Sequence, residues 1–450
     1  MSAVAAYSTD GRWLCTHDTY DLWLIQAGGG KSVRLTSHFF PEAHPAWGDN
    51  ETLYYVKSES PQQDGANSRL MRLRIDPGSG HPVGDPEPVS FFQWSQMLHP
   101  KVVNGGQKLM FFEQTVFSWI HTASYPGGDD VRGRIGRGDS PQLSPDGSEV
   151  YYIDRTPGRE GIYAQPTRGG VAPRRVASAR GIIDGGFHLS PDGSMLTVEH
   201  YVEEKGVIVE VVAAQGGEPR IVYRFAKAPL DVQDLSLTPR WSPNGDLIVL
   251  SSPDRRLLLI HGASGQVERE IELSGFNRSP EWSPTGEHIA CILYDRVRGN
   301  DVNYRVEVYS VKTGAWRELV SGKQFHDYIE TIQWHPDPNR QQLNFFVEHQ
   351  QEHGHWSVFL NRDEIEVLLP ERTEAIHDFW GVWAPDGAAF YFGSEAHGEP
   401  PRGIHVYRES TKLVEHEALP DSLPFWSRDG ATIGWTEKES RYDLKVIDLE

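Results

Sequence analysis

The stretch SPQLSPDGSEVYYIDR (Ser140–Arg155), followed by GIYAQPTRGG (Gly161–Gly170) and APRRV (Ala172–Val176), decides the fold. It reads as a short strand ending at Leu143, a Ser-Pro-Asp-Gly turn, an alternating strand and two more strands. Pro145 presets φ at one corner of the turn, Asp146 can hydrogen-bond the backbone two residues on, and Gly147 takes the left-handed corner. Four consecutive antiparallel strands joined by tight turns make one twisted sheet, and such a sheet cannot cover both of its faces alone. It needs neighbours of its own kind.

The chain supplies them. Turns of this type recur at Ser8–Gly11, Gly48–Asn50, Asn104–Gly106, Ser144–Gly147, Ser190–Gly193, Ser242–Gly245, Ser283–Gly286, His335–Asn339, Ala384–Gly387 and Ser427–Gly430, with a mean spacing of about 47 residues. A period of 40 to 50 residues with four strands per repeat marks propeller blades. The slot after the turn is filled by ETLYYVKS (Glu51–Ser58), QKLMFFEQ (Gln107–Gln114), EHIACILY (Glu287–Tyr294) and their counterparts. No sustained period of 3.6 appears, so almost no helix is predicted. The expectation is an all-β chain, residues 1–450 forming a single β-propeller domain of ten four-stranded antiparallel blades in one ring. The last blade is expected to be three-stranded, because no strand follows Ile447–Glu450. Two smaller propellers side by side are the alternative.

The repeats resemble the TolB-type, WD-like propeller family at Tyr7–His38, Ser144–Val176, Trp241–Ser252, Trp282–Val320 and Trp426–Leu449. The resemblance runs along the whole chain and implies the propeller fold. It is weak for function, because the matching residues are turn and packing residues of a blade. TolB proteins of the cell envelope also carry an export signal and a separate N-terminal domain, and neither is visible here. Propellers of prolyl-oligopeptidase-like enzymes are similar in repeat type, but the chain has no G-x-S-x-G elbow to mark a hydrolase half.

Composition excludes several classes. The 450 residues carry 43 basic and 63 acidic side chains, a net charge of −20, without a basic stripe for phosphates, so no nucleic-acid partner is expected. No apolar run reaches the roughly 20 residues of a membrane helix. The first residues lack a basic region followed by an apolar core, which points to a cytoplasmic protein. Cys15 and Cys291 fall in predicted strands far apart in sequence and read as buried free thiols. Gly28-Gly29-Gly30-Lys31-Ser32 lacks the leading glycine and following helix of a phosphate loop and reads as a hairpin turn.

In a propeller the inner strands line a channel, and the loops that enter them form a rim where function resides. The tentative ligand-binding residues on that rim are His44, His99, Asp184, His326, Asp327, His377, Asp378 and Trp380. FHDYIETIQW (Phe325–Trp334) and IHDFWGVW (Ile376–Trp383) each put His-Asp ahead of an inner strand in adjacent repeats. Converging His and Asp could hold a divalent metal on the channel axis or supply an acid and a base. Hydrogen bonds that tie rim loops to neighbouring blades are the plainer reading, and no cofactor is expected. Trp47, Trp241, Trp282, Trp334, Trp383 and Trp426 stand just before the turns and read as wedges between blades. The functional expectation is a non-enzymatic scaffold that binds a protein or peptide. The alternatives are a metal-dependent lyase of the oligogalacturonate type using the rim His and Asp, and a peptidase-associated propeller without its hydrolase domain.

Overall fold

The structure is a computed structural model. It describes residues 5–18, 21–37, 42–58, 67–93, 95–105, 107–125, 134–156, 158–178, 182–202, 206–225, 237–296, 302–321, 328–348, 354–362, 364–369, 376–396, 403–411, 413–417 and 422–449. Among these the regular elements are all strands, in nine antiparallel sheets: eight have four strands and one has five. The all-β propeller architecture read from the turns is therefore present.

The turns form as their chemistry requires. At Ser144–Gly147 the Gly147 N–H donates to the Ser144 carbonyl at 2.9 Å, and the Ser144 hydroxyl donates to Asp146 at 2.7 Å while accepting the Glu149 N–H at 2.9 Å. The same bonds recur around Ser190 and Ser427. Accepting them holds the Asp146 and Asp192 carboxyls below the usual carboxylate range.

The chain divides into two compact units. One comprises Met1–Phe117, Arg155–Arg159 and Lys438–Glu450, the other Ser118–Asp154 and Glu160–Glu437.

In the first unit, the sheet from Ala6–Tyr7 to Ser32–Arg34 packs on the sheet from Glu42–Trp47 to Glu87–Gln93. Strand Thr52–Ser58 shows why. Leu53 and Tyr55 enter the cluster with Trp13, Cys15 and Leu24, whereas Tyr54 and Val56, on the opposite face, enter the one with Met97, Leu109 and Phe111. Both faces are buried, so the sheet needs a neighbour on each side.

In the second unit, six sheets are each built from four consecutive strands, beginning with Asp139–Leu143, Ile182–Leu189, Arg240–Trp241, Phe276–Trp282, Tyr328–Trp334 and Ile376–Trp383. A seventh is assembled from two distant parts of the chain. Phe425–Trp426 and the early half of the 17-residue strand Thr432–Asp448 join the late half of the 17-residue strand Lys108–Ser124 and Arg134–Arg137. The other halves of the two long strands belong to the first unit, beside Ser95–Val103.

This differs from the expectation of ten blades in one ring ending in a three-stranded blade. The tenth repeat has no sheet of its own, because its strands pair with those of the third. The N-terminal strand Ala6–Tyr7 takes no part in that exchange and stays in the first sheet.

Within the second unit most turns rest on the turn of the preceding sheet. A Cβ added to Gly193 would stand 2.6 Å from Pro145, and additions at Gly245, Gly286 and Gly430 would touch Pro191, Pro243 and Pro385. The series returns on itself, because a Cβ at Gly147 would lie 2.3 Å from the Thr432 hydroxyl. Arg428 donates to the carbonyls of Pro191 at 2.9 Å and Pro243 at 3.1 Å, so one guanidinium gathers turns from three sheets.

The tryptophans wedge between sheets as expected and also donate. The indole N–H of Trp241 reaches the His188 carbonyl at 3.2 Å, that of Trp282 the Arg240 carbonyl at 3.2 Å, and that of Trp334 the Glu281 carbonyl at 3.1 Å. Each bond crosses from one inner strand to its predecessor. Cys15 and Cys291 are buried and unpaired with each other.

Gly147 and Gly169 separate the two roles of a turn glycine. Both hold positive φ, +66° and +69°, but a Cβ at Gly169 meets nothing within 4 Å. Gly169→Ala is expected to cost about 1 kcal/mol through the backbone alone. Gly147→Ala should cost about 1–3 kcal/mol more through the clash with Thr432. Urea midpoints of the two variants check the difference.

Candidate functional site

The first strand of each sheet in the second unit ends at a Trp or Leu just before the turn, and the residue preceding it points to the other side of the strand. At that place stand Gln142, His188, Arg240, Glu281 and Gln333, all half-buried, then Val382 and Phe425. The five polar side chains bind across the strands. Gln142 donates to the Phe187 carbonyl at 2.6 Å and accepts the Leu189 N–H at 3.0 Å. Arg240 lies 2.5 Å from His188 Nε2 through one guanidinium nitrogen and 3.1 Å from Glu281 through Nε. Gln333 accepts the Trp383 N–H at 3.2 Å.

The electrostatics of the trio follow from this geometry. Arg240 can only donate, so His188 Nε2 must accept and the ring proton sits on Nδ1. Burial, and then the Arg240 charge, hold His188 well below the usual imidazole range, so it stays neutral. The guanidinium is fixed between a neutral acceptor, a carboxylate and the Pro239 carbonyl at 3.2 Å. Such a group can make directed hydrogen bonds.

A second device acts on these strands. Their pairing shifts register just upstream, between Asp139 and Gln142, Asn277 and Pro280, and Asp378 and Gly381. Ser140, Thr238, His44 and His99 each precede a proline and hold φ of 50°, 42°, 53° and 50°. Proline is tolerated at such bulges, and a bulge re-aims the side chains that follow it. Positive φ in non-glycine residues costs energy that packing must offset.

His44 and His99 come together in the first unit, with ring centroids 5.9 Å apart in an edge-on arrangement. Burial, with smaller contributions from His99 and His17, lowers His44 to about 4. Nearby in sequence, Glu42 is fully buried among Thr36, Tyr55, Lys57 and Asp21, and burial pushes it up to about 7. The other rim residues belong to the second unit. Asp184 lies on strand Ile182–Leu189, and His377, Asp378 and Trp380 lie on Ile376–Trp383, where His377 is opposite Glu395 and Asp378 opposite Ser394. His326 and Asp327 lie outside the described residues. Among the described residues, no three His, Cys, Asp or Glu side chains gather closely enough to hold a metal ion.

The sequence reading passed over Gln142, His188, Arg240 and Glu281 because each stands alone within its repeat. A signal existed: with the repeats aligned on the Trp or Leu before the turn, five of seven carry a polar residue one place ahead of it.

No protein-family model matches the chain. An uncharacterized protein of Agrobacterium fabrum strain C58 is 23% identical over 267 residues, covering 56% of this chain and 83% of its own. A TolB candidate of Agrobacterium tumefaciens is similar in structure with a TM-score of 0.42 and 16% identity, over 73% of this chain and 99% of that one. An oligogalacturonate lyase in complex with manganese gives 0.48 and 13% over 62% and 75%, and the tricorn protease 0.43 and 11% over 99% and 49%. At such identities the likeness concerns the fold alone.

His188 and Glu42 make stability depend on pH with opposite signs. Below about 6.5 the unfolded chain protonates His188 while the folded chain does not, so the stability this group contributes is lost as pH falls. His188→Gln, which still accepts from Arg240, should flatten the slope between pH 6.5 and 5 by up to about 1.4 kcal/mol per pH unit. Folded Glu42 keeps its proton up to about 7 whereas the unfolded chain releases it near 4.5, so its contribution is lost as pH rises through that window. Glu42→Gln should therefore stabilise the protein at pH 8 by about 1–3 kcal/mol relative to pH 5. Urea titrations at the three pH values test both.

Proposed function

We propose that this propeller is a non-enzymatic binding scaffold that takes a protein or peptide partner onto the inner strands of its second unit. The observation that carries the reading is the linked run His188–Arg240–Glu281 on three consecutive inner strands. Its guanidinium is held in place before any partner arrives, and its neighbours are half-exposed. Preorganised donors and acceptors lower the ordering cost of binding and favour a partner with matching polar groups. Val382 and Phe425, half-buried at the same register on the sixth and seventh sheets, are apolar and pack partly against the core. The side chains in the run bind one another and the backbone, an arrangement suited to recognition.

The test is affinity capture from a native lysate with the wild type and with Arg240→Lys, which keeps the charge but loses the planar fork. A stoichiometric partner should be retained by the wild type and bound at least tenfold more weakly by the variant, with unchanged melting temperature. Equal capture by both, or no partner together with stoichiometric uptake of Mn2+, Zn2+ or Ca2+ in equilibrium dialysis, would overturn the reading in favour of a metal-dependent enzyme.

A further inference from the structure

Eight of the nine sheets carry four strands, but the part of the remaining sheet that lies in the first unit has three: Ser95–Val103, the early half of Lys108–Ser124 and residues 438–448. Among the described residues, no fourth strand pairs with residues 438–448 on their outer side. Open edges template pairing with another strand unless something blunts them. Of the features that blunt an edge, KESRYDLKVID (Lys438–Asp448) has charged side chains, three of each sign, but no proline. Its outward face is apolar, with Tyr442 at 59%, Leu444 at 59% and Val446 at 54% exposure, and Phe112 on the neighbouring strand at 46%.

The charges on the alternate face name the occupant. Glu439, Arg441, Asp443 and Lys445 alternate in sign along it. When two copies of the segment run antiparallel about a twofold axis at Tyr442, Arg441 falls opposite Asp443 of the other copy and Glu439 opposite Lys445. Each pair occurs twice, and Tyr442 meets Tyr442. This register places no like charges opposite each other. The strip is also locally neutral, with Lys438, Arg441 and Lys445 balancing Glu439, Asp443 and Asp448, in a chain whose net charge is −20. It is thus a place where two acidic copies can meet without repulsion. The Arg441–Asp443 contact at 3.0 Å and the Lys445–Glu113 contact at 3.4 Å, each within one copy, already turn these groups toward that face.

We propose that the chain forms a twofold dimer by antiparallel pairing of residues 438–448, joining two three-stranded sheets into one of six strands. Each copy supplies the missing neighbour of the other, and the interface is self-complementary, as a twofold contact requires.

Light scattering and sedimentation at 1–100 µM test this on the full chain. The wild type should double in mass within that range. Asp443→Arg, which sets arginine opposite Arg441 of the other copy, should weaken the dimer about tenfold or more. Arg441→Asp combined with Asp443→Arg restores opposite signs and should recover wild-type association. All of these side chains are at least partly exposed, and circular dichroism and melting should be unchanged. A wild type that stays monomeric at 100 µM overturns the proposal. So does a dimer whose strength is the same in Asp443→Arg, or a double variant no better than the single one.

Discussion

A four-stranded sheet with apolar side chains on both faces cannot remain folded on its own, and everything else in this protein follows from how that need is met. Strand Thr52–Ser58 sends alternate residues into two different clusters, and Glu149–Asp154 does the same, with Tyr151 and Ile153 in one cluster and Val150 and Tyr152 in another. Burying a large side chain of this kind contributes about 1.5–3 kcal/mol, but only while the adjoining sheet is present. The turn contacts and indole hydrogen bonds fix the spacing of neighbours. They add directional bonds to an attraction that has no direction of its own.

Much of this was legible in the chain. The Ser-Pro-Asp-Gly turns announced themselves because proline, aspartate and glycine are each needed for a separate geometric reason, and the tryptophans because an indole recurs just before six of the ten turns. The number of sheets was not legible. Repeats three and ten look complete when each is read locally, yet Lys108–Ser124 and Thr432–Asp448 each run on for 17 residues and pair across a sequence separation of more than 300. Local pattern carries no information on which distant strand will be the partner, since the alternation of apolar and polar residues is the same for either choice.

The candidate site was harder to see for a related reason. His-Asp pairs draw the eye because they are familiar in catalysis. The residues the inner strands link are instead Gln142, His188, Arg240, Glu281 and Gln333, one from each of five successive sheets. No two of them are closer than about 40 residues in sequence. Their relation is created by the fold. The wedge tryptophan fixes which face of the inner strand is buried between sheets, and the residue before it must take the opposite face. A polar residue there is solvated from one side and supported from the other.

That constraint also explains why the run can be charged without weakening the propeller. A guanidinium buried without partners would carry a large desolvation cost. Arg240 escapes it by keeping part of its surface open while bonding His188, the Pro239 carbonyl and Glu281. His188 is suited to the position because it can accept as a neutral ring. A lysine there could only donate, and it would set a second positive charge against Arg240. A glutamate would accept but leave the trio with one negative charge in excess. The arrangement is therefore neutral overall yet strongly polar, so what it presents is a hydrogen-bonding pattern rather than a net charge.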